Sequence, residues 1–327
     1  MKTKKYITAI AALVTLLAAC NRDDDKTLAP TNLDKDWLAI SDSPDPLDHL
    51  RYEIYRDLGV SVYYTDTIGK EFRYINVYGD SVIHVEKVDP FYSVTAMDAA
   101  NTYLLSKNRE EIRLATLFVR DSIISALPPA LYPSTVLLTS ELTLNAFDTE
   151  ARGKRLGNVY NGYRSVIISN TGQFSTMSAI DKSHLKEEIV ATICYGYANA
   201  NFNIRLAEFY KVSEDLFTPQ TLMPSVYYLL ISSGNAAVYR PHWNYYAFLI
   251  SSPNMPGQLQ ANANIPGEYT RYYTPSKEED ASSFFLAVFR YTPAEFDAEY
   301  STLPGFSDIR RKYDIIRAIT DAIINMP

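Results

Sequence analysis

The stretch SHLKEEIVATICYGY, Ser183–Tyr197, predicts a buried amphipathic helix at the centre of the fold. Its large apolar residues recur at the four-residue spacing that places side chains on one face of an α-helix. That face comprises Leu185, Ile189, Ile193 and Tyr197. Lys186, Glu187 and Glu188 fall on the other side, where charged residues usually form a solvated face. We therefore expect the rest of the chain to pack against the apolar face of this helix.

The residues before this helix predict a mixture of helices and strands. A helix is expected over Asp48–Leu58, ended by Gly59, and a long helix is expected to begin at Thr95 and run towards Pro128. Runs of β-branched and aromatic residues predict strands. The predicted strands are Val60–Thr65, Phe72–Val77, Val82–Val88, Ser134–Leu144 (around the apolar run Val136–Leu138) and Val159–Ser169.

The residues after the central helix predict a helical C-terminal half. Phe202–Val212 continues as helix, and a proline-punctuated, loop-rich insert follows from Pro219 to Pro266. Three helix starts carry N-cap signatures, at Ser276, Thr292 and Ser307. The expected fold is α+β, with a small mixed sheet in the N-terminal half and helices in the C-terminal half. A single domain is predicted over residues 47–327.

Residues 1–19 have the pattern of a lipoprotein signal peptide. Three lysines precede an apolar run, Ile7–Leu17, that is too short to span a bilayer of about 30 Å comfortably. The run ends in Leu-Ala-Ala-Cys, which resembles a bacterial lipobox and predicts Cys20 as the lipidated first residue of the mature chain. The alternative is an ordinary signal peptide with an incidental cysteine.

Residues 20–46 are predicted to form an acidic, flexible tether between the lipid and the domain. The motif NRDDDK directly after Cys20 resembles the export signal of Bacteroidetes-type lipoproteins that face the cell exterior. The expected location is therefore the outer membrane, with the domain lipid-anchored and exposed outside the cell. A charged tether without any sorting role is compatible with the same residues.

The charge argues against a nucleic-acid partner, and the cysteine content argues against an intramolecular disulfide. The formal net charge is −7, and removing residues 1–19, which hold three lysines and no acid, leaves −10. Such a chain lacks the basic footprint that a nucleic-acid partner requires. Cys194 is the one other cysteine, so lipidation of Cys20 leaves no intramolecular disulfide, and Cys194 is expected to be a buried, inert thiol.

The residues that carry zinc hydrolysis elsewhere are incomplete in this sequence. An HExxH helix places two histidines one turn apart on one metal ion and uses the adjacent glutamate as general base. The chain has four histidines, and no two of them have this spacing. They are His49, His84, His184 and His242. A G-x-S-x-G elbow and a phosphate-binding glycine loop are also absent from the sequence.

Three stretches nevertheless resemble one known family. They are RYEIYRDLGVSVYYT (Arg51–Thr65), the central helix, and YTPSKEEDASSFFLAVFRYTP (Tyr273–Pro293) with the later DIRRKYDIIR. The family comprises the zinc-binding metallopeptidase lipoproteins of Bacteroidetes-type bacteria, also described as substrate-import-associated zinc metallohydrolase lipoproteins. The resemblance implies a metallopeptidase-like domain that accompanies outer-membrane nutrient-uptake systems of the starch-utilisation type.

Carried over by position, the resemblance places Glu188 at the family's catalytic glutamate. Glu187 and Ala191 then stand at the two histidine positions, Glu279 stands at the third-ligand position, and Asp280 lies beside it. Because alanine cannot bind a metal, we expect no zinc cofactor and no zinc catalysis. These five residues define a candidate cleft for a peptide or glycan ligand, in an accessory or binding component of an uptake system.

Two alternatives remain open at this stage. One is an active zinc metallohydrolase with the atypical ligands His184, Glu188 and Glu279. The other is a glycan-binding surface lipoprotein that uses the aromatic groups of the insert. Those groups are Tyr227–Tyr228, His242–Trp243 and Tyr245–Tyr246.

Overall fold

The computed structural model describes residues 35–91, 101–145, 154–163, 165–213, 229–232, 247–250, 258–261, 268–272, 275–303 and 305–326. The chain divides into two compact units, Met1–Trp37 and Leu38–Pro327. The second unit thus begins ahead of the predicted domain start at residue 47. Its first residue is held in place because the Leu38 carbonyl accepts hydrogen bonds from Ser61 Oγ (2.7 Å) and the Tyr63 hydroxyl (3.0 Å).

The N-terminal half opens with a well-capped helix, α1 (Pro46–Leu58). The Asp45 side chain accepts from the backbone N–H groups of Leu47 and Asp48, and Gly59 ends the helix in the left-handed region at φ 69°. The elements that follow are β1 (Ser61–Tyr63), β2 (Thr67–Ile75), β3 (Ser81–Lys87), β4 (Thr102–Leu105) and α2 (Arg109–Phe118). After α2, a π-helical turn (Val119–Ile123) and two short 3₁₀ turns (Ile124–Ala126 and Pro129–Leu131) lead back to the sheet.

The prediction of one long helix from Thr95 is wrong over Thr102–Leu105. This segment is β4 and pairs antiparallel with the second half of the strand Thr135–Asn145. The helix begins only at Arg109, where the Asn108 side chain accepts from the N–H groups of Glu110 and Glu111. Pairing with a strand distant in the sequence decides this segment, and the helical spacing of its apolar residues does not reveal it. Thr95 itself lies outside the described residues.

The main sheet is organised around β5 (Thr135–Asn145), and its other strands are β6 (Lys154–Leu156), β7 (Val159–Asn161) and β8 (Ser165–Ile168). The strand order is β1-β5-β8-β7, and β4 and β6 pair with the far half of β5. β1 and β8 run parallel to β5, whereas β7 runs antiparallel to β8. The central strands are buried, which explains the apolar runs 136–138 and 166–168.

The single strand predicted over Val159–Ser169 is wrong, because the structure divides this stretch into β7 and β8. The two strands form a tight hairpin in which the Gly162 N–H donates to the Ser165 carbonyl at 2.9 Å. A Cβ atom on Gly162 would lie 2.3 Å from the backbone oxygen of Pro90, so this turn requires glycine. Local β-propensity predicts both strands and does not locate the turn between them.

The C-terminal half is mainly helical. It contains α3 (Ala179–Asn201), α4 (Asn203–Lys211), α5 (Lys277–Arg290), α6 (Pro293–Tyr300) and α7 (Phe306–Ile324). A small antiparallel sheet is formed by two strands of the predicted insert, β9 (Leu229–Ser232) and β10 (Gln258–Ala261), and by β11 (Glu268–Tyr272) just after it, in the order β10-β11-β9. Capping boxes at Ser276 and Thr292 are confirmed, whereas the last helix is preceded by Gly305 at φ 74° instead of being capped by Ser307.

The hydrophobic core lies between the main sheet, α3 and the C-terminal helices. Leu185, Ile189 and Ile193 of α3 are buried as predicted, and Tyr197 is partly buried against the core. The stripe predicted for the last helix is also buried, and it consists of Ile309, Tyr313, Ile316, Ile319 and Ile323. The α+β class with a sheet in the N-terminal half and helices in the C-terminal half is thereby confirmed. Among the described residues no helix combines the length and apolarity needed to cross a bilayer.

Candidate functional site

Helix α3 is fixed at its start by a reciprocal capping box. Ser178 Oγ accepts from the backbone N–H of Asp181 at 3.1 Å, and the Asp181 carboxylate accepts from the Ser178 N–H at 3.4 Å. These contacts satisfy backbone donors that a helix start leaves unpaired. The helix therefore begins at Ala179, before the predicted stretch, and places Glu187 and Glu188 in its middle.

Glu188 is held by one asparagine from the sheet side, and a second asparagine holds the first. Its Oε2 accepts from Asn158 Nδ2 at 2.8 Å, and Asn158 Oδ1 accepts from Asn170 Nδ2 at 2.5 Å. The Ser169 N–H also donates to the Asn158 carbonyl at 2.8 Å. Asn170 has φ 62°, a left-handed conformation that asparagine tolerates better than most residues. This amide–carboxylate chain joins α3 to the loop before β7 and to the loop after β8.

Glu187 makes a different set of contacts. Its carboxylate accepts from Ser183 Oγ at 3.0 Å and lies 3.3 Å from Arg290 Nε at the end of α5. Both side chains are partly exposed, at 19% for Glu187 and 35% for Arg290. An ion pair of this kind contributes at most about 1 kcal/mol. Its main consequence is geometric, because it fixes which end of α5 lies beside Glu187.

Ala191 lies in the core. It is 3% exposed and belongs to the same hydrophobic core cluster as Cys194. The predicted burial of Cys194 is confirmed, and burial raises the pKa of its thiol to about 12, which disfavours the reactive thiolate at neutral pH. Neither residue presents a polar group to the surface.

Glu279 is used to cap α5. Its carboxylate accepts from the Ser276 N–H at 2.8 Å, and its own N–H donates to Ser276 Oγ at 3.2 Å. Glu187 meets Arg290, whereas Tyr195 meets Phe285 with ring centroids 5.8 Å apart, so α3 and α5 run antiparallel. Glu279 therefore lies about 16 Å along the helix axis from Arg290, at about 1.5 Å per residue.

This geometry separates the residues that the resemblance brought together. Glu187 lies beside the end of α5 and Glu188 faces Asn158 on the sheet side, while Glu279 and Asp280 lie at the start of α5. The five positions carried over from the family do not line one cleft in the described part of the chain. Their placement assigns each of them a local structural contact instead.

Asp280 belongs to a buried ion pair that the sequence analysis missed. Its Oδ2 lies 2.7 Å from Lys312 Nζ of α7, and both side chains are 0% exposed. Burial raises the pKa of the Asp280 carboxyl to about 7, and the Lys312 ammonium opposes this rise. Burial also lowers the pKa of Lys312, and the Asp280 carboxylate opposes the fall. For both groups, the effect of desolvation on the pKa is therefore larger than the effect of their mutual attraction.

Lys312 connects several segments of the C-terminal half. Its Nζ donates to Ser213 Oγ at 3.1 Å and to the Ala247 carbonyl at 3.0 Å. Three aromatic rings surround the ammonium with centroids 4.6 to 5.3 Å away, on Phe209, Phe248 and Phe284. The sequence signal for this role is its position: Lys312 falls three residues after Ile309 and four before Ile316, on the apolar stripe. Asp280 is thus a core residue, and its assignment to a cleft is corrected here.

The alternative zinc ligands are not assembled by the fold. His184 is exposed on α3, Glu188 is bonded to Asn158, and Glu279 caps the distant start of α5. Within the ranges that the structure describes, no group of three or more His, Cys, Asp or Glu side chains is placed to hold a metal ion. The aromatic groups proposed for glycan binding, from Tyr227 to Tyr246, lie outside the described residues.

Surface hollows occur elsewhere on the described chain. A shallow groove between α4 and α7 carries both charge signs and includes Arg205, Glu208, Arg311 and Asp314. A second hollow is lined by residues 42–46 and His49. Neither includes a residue carried over from the family. Comparison with protein-family models, with curated proteins and with solved structures finds no match to this chain, so the resemblance stays an expectation drawn from the sequence.

Proposed function

We propose that this chain is a lipid-anchored accessory or binding protein of an outer-membrane nutrient-uptake system, built on a metallopeptidase-like scaffold that does not perform zinc hydrolysis. One observation carries the non-catalytic part of the proposal. Every position that the resemblance assigns to the family's metal site makes a structural contact: Glu187 with Arg290, Glu188 with Asn158, Ala191 in the core and Glu279 in a helix cap.

The chemistry of these contacts supports this proposal. In a zinc hydrolase, the general base must reach a metal-bound water. The ligands of the zinc must also converge within about 2.0–2.2 Å of the ion. Glu188 instead accepts a hydrogen bond from an amide that is itself held by Asn170. Glu279 lies near the other end of α5, and Ala191 offers no donor atom. The scaffold is then available for binding without hydrolysis.

Zinc affinity and peptide hydrolysis test the non-catalytic part together. Wild-type protein, Glu188→Gln and the control Glu299→Gln, at an exposed glutamate of α6 outside the candidate site, are titrated with zinc by calorimetry and assayed on a mixed peptide library. We expect no stoichiometric zinc binding at sub-micromolar concentration and the same background hydrolysis in all three proteins. Sub-micromolar zinc binding, with hydrolysis that disappears in Glu188→Gln and persists in Glu299→Gln, would refute the proposal.

The anchor is supported by the lysine-rich start, the apolar run and the Leu-Ala-Ala-Cys end, and surface display by NRDDDK. Acyl chains on Cys20 hold a domain at a membrane without a spanning helix. In cells fed labelled palmitate, we expect wild-type protein to incorporate the label and to fractionate with the outer membrane, whereas Cys20→Ala does neither. Protease added to intact cells should degrade the domain. Equal fractionation of the two proteins would contradict lipid anchoring.

A further inference from the structure

The hairpin of β2 and β3 has an inverted distribution of polarity. Cross-strand pairing places Phe72 opposite Ile83 and Ile75 opposite Ser81, with Lys70 opposite Val85 on the same face. We call this the outer face of the hairpin. Four of its apolar side chains are largely exposed, namely Phe72 (57%), Ile75 (62%), Ile83 (54%) and Val85 (41%).

The opposite face of the hairpin carries most of its charge. His84 Nε2 lies 2.8 Å from Glu86, and Arg73 lies 3.5 Å from Glu71. These four residues are more covered than the apolar residues of the outer face. A hairpin that meets only water would place its charges outward and its apolar residues inward. The reversed pattern indicates that the outer face meets an apolar environment.

The tip of the hairpin extends the apolar surface and is held in one conformation. Val77 and Tyr78 are 94% and 87% exposed. Asn76 Oδ1 accepts from the N–H groups of Tyr78 and Asp80, each at 2.9 Å, and Gly79 has φ 90°. Because the turn is closed by these bonds, Val77 and Tyr78 project from a fixed structure and require no ordering on contact.

The base of the hairpin lies where the chain enters the compact unit. Ile68 and Val88 belong to a small cluster that also includes Leu38 and Ile40. Leu38 is the first residue of that unit. The chain from Cys20 to Leu38 can span at most roughly 65 Å, at about 3.3–3.6 Å per residue. A chain of this length allows the hairpin to reach a bilayer that holds Cys20.

We propose that the outer face and tip of the β2–β3 hairpin dock into the interfacial region of the lipid bilayer that holds Cys20. This gives the protein a second point of membrane attachment, and it rests on the lipid anchoring proposed above. Apolar side chains enter the boundary between headgroups and acyl chains, where the amphipathic ring of Tyr78 also fits. The charged residues of the outer face are Lys70 and Lys87, Lys87 lies 3.6 Å from the carboxylate of Asp66, and Asp80 is exposed at the tip.

Local charge does not oppose a bilayer at this surface. The mature chain carries a formal charge of −10, which opposes its approach to anionic headgroups. The outer face and tip lack this excess of acids, because Lys70 and Lys87 balance Asp66 and Asp80. Apolar side chains on a surface without net charge fit the interfacial region of a bilayer, where buried apolar area contributes to binding.

Site-specific fluorescence in vesicles tests the docking. Val77→Cys is labelled with an environment-sensitive nitrobenzoxadiazole in the full chain, both acylated and with Cys20→Ala. Cys194 is 0% exposed and stays unlabelled in the folded protein. The matched control is Ile180→Cys, an apolar residue 67% exposed at the start of α3. With excess phosphatidylcholine–phosphatidylglycerol vesicles, we expect a blue shift and quenching by spin-labelled lipid at position 77 and none at position 180.

A second variant separates docking from mere proximity. Tyr78→Ser in the Val77→Cys background should lower the docking equilibrium constant, obtained from the lipid-quenched fraction, about tenfold, as expected for loss of one buried aromatic side chain. Tyr78 is nearly fully exposed, and its turn hydrogen bond uses the backbone, so circular dichroism should not change.

Three outcomes would overturn the docking. The first is a label at position 77 that remains in water with vesicles in excess, and the second is equal quenching at positions 77 and 180. The third is a blue shift that depends on protein concentration and occurs without vesicles, which would assign the outer face to a second copy of the chain. Failure of the anchor appears separately as equal palmitate labelling of wild type and Cys20→Ala. Docking is still decided in that case by the label at position 77 in the Cys20→Ala protein.

Discussion

Replacing Lys312 with methionine should destabilise the protein strongly. Methionine preserves most of the volume of the side chain among the aromatic rings, so packing is retained and only the ammonium is lost. The Asp280 carboxylate then remains in the core, 0% exposed, without its ion partner. Asp280 Oδ1 already has no hydrogen-bond partner among the described residues. Removal of one partner of a buried pair costs about 3–5 kcal/mol, a large part of the 5–15 kcal/mol typical of a folded domain.

The destabilisation should increase with pH. The folded pKa of Asp280, about 7, lies above the usual value near 3.9 for an unfolded chain. The contribution of Asp280 to the free energy of unfolding is therefore lost as pH rises through its folded pKa. In wild type this loss is complete slightly above pH 7. In Lys312→Met the pKa rises further, because the ammonium that opposed the rise is gone. The variant should keep losing about 1.4 kcal/mol per pH unit above pH 7, where wild type has levelled off.

Urea unfolding followed by circular dichroism at pH 6 and pH 8.5 measures both effects. We expect the deficit of Lys312→Met to be up to about 2 kcal/mol larger at pH 8.5 than at pH 6. Arg311→Met, which removes the same charge from the exposed neighbouring position, should change stability by no more than about 0.5 kcal/mol. The double variant Asp280→Asn/Lys312→Met should recover part of the loss. A deficit that does not change with pH, or a double variant no more stable than Lys312→Met, would refute the reasoning.

Three further predictions concern single residues. Gly162→Ala should lower the free energy of unfolding by about 1–3 kcal/mol, since the added Cβ would lie 2.3 Å from the Pro90 oxygen and backbone must move; an unchanged urea midpoint would contradict this. Ser276→Ala should cost about 1 kcal/mol by removing a helix cap, and an unchanged melting temperature would show that the cap is dispensable. Cys194, with its pKa raised to about 12, should react with a disulfide reagent at pH 8 only after unfolding, and labelling of the native protein at the rate of a free thiol would be inconsistent with its burial.

Features set by neighbouring residues were predictable from the sequence. The capping boxes at Ser276 and Thr292 and the apolar stripe of α7 follow from spacing alone, and the structure has them. Features set by distant partners were not. Thr102–Leu105 becomes a strand because β5 lies beside it, and residues 159–169 become a hairpin because Gly162 fits against Pro90. Neither partner is visible in the local pattern.

The candidate site divides in the same way. Sequence position singled out Glu188 on the polar side of α3, but its partner Asn158 lies 30 residues earlier and is brought close by the sheet. Position also singled out Asp280 beside Glu279, although one is a core residue and the other a cap. Lys312 carried a detectable signal, a charge on an apolar stripe. Its partner could not be named without the packing of α5 against α7.

The parallel pairing of β1 with β5 has a consequence for how the chain acquires its structure. Ser61 aligns with Thr135, so this pair closes a loop of 74 residues before any of its ladder bonds can form. Parallel pairings across such separations slow folding, because chain entropy is lost before contacts compensate for it. A ribosome or an export channel that has released only the first hundred residues presents β1 without its partner strand. The core thus closes late, once β5 has emerged.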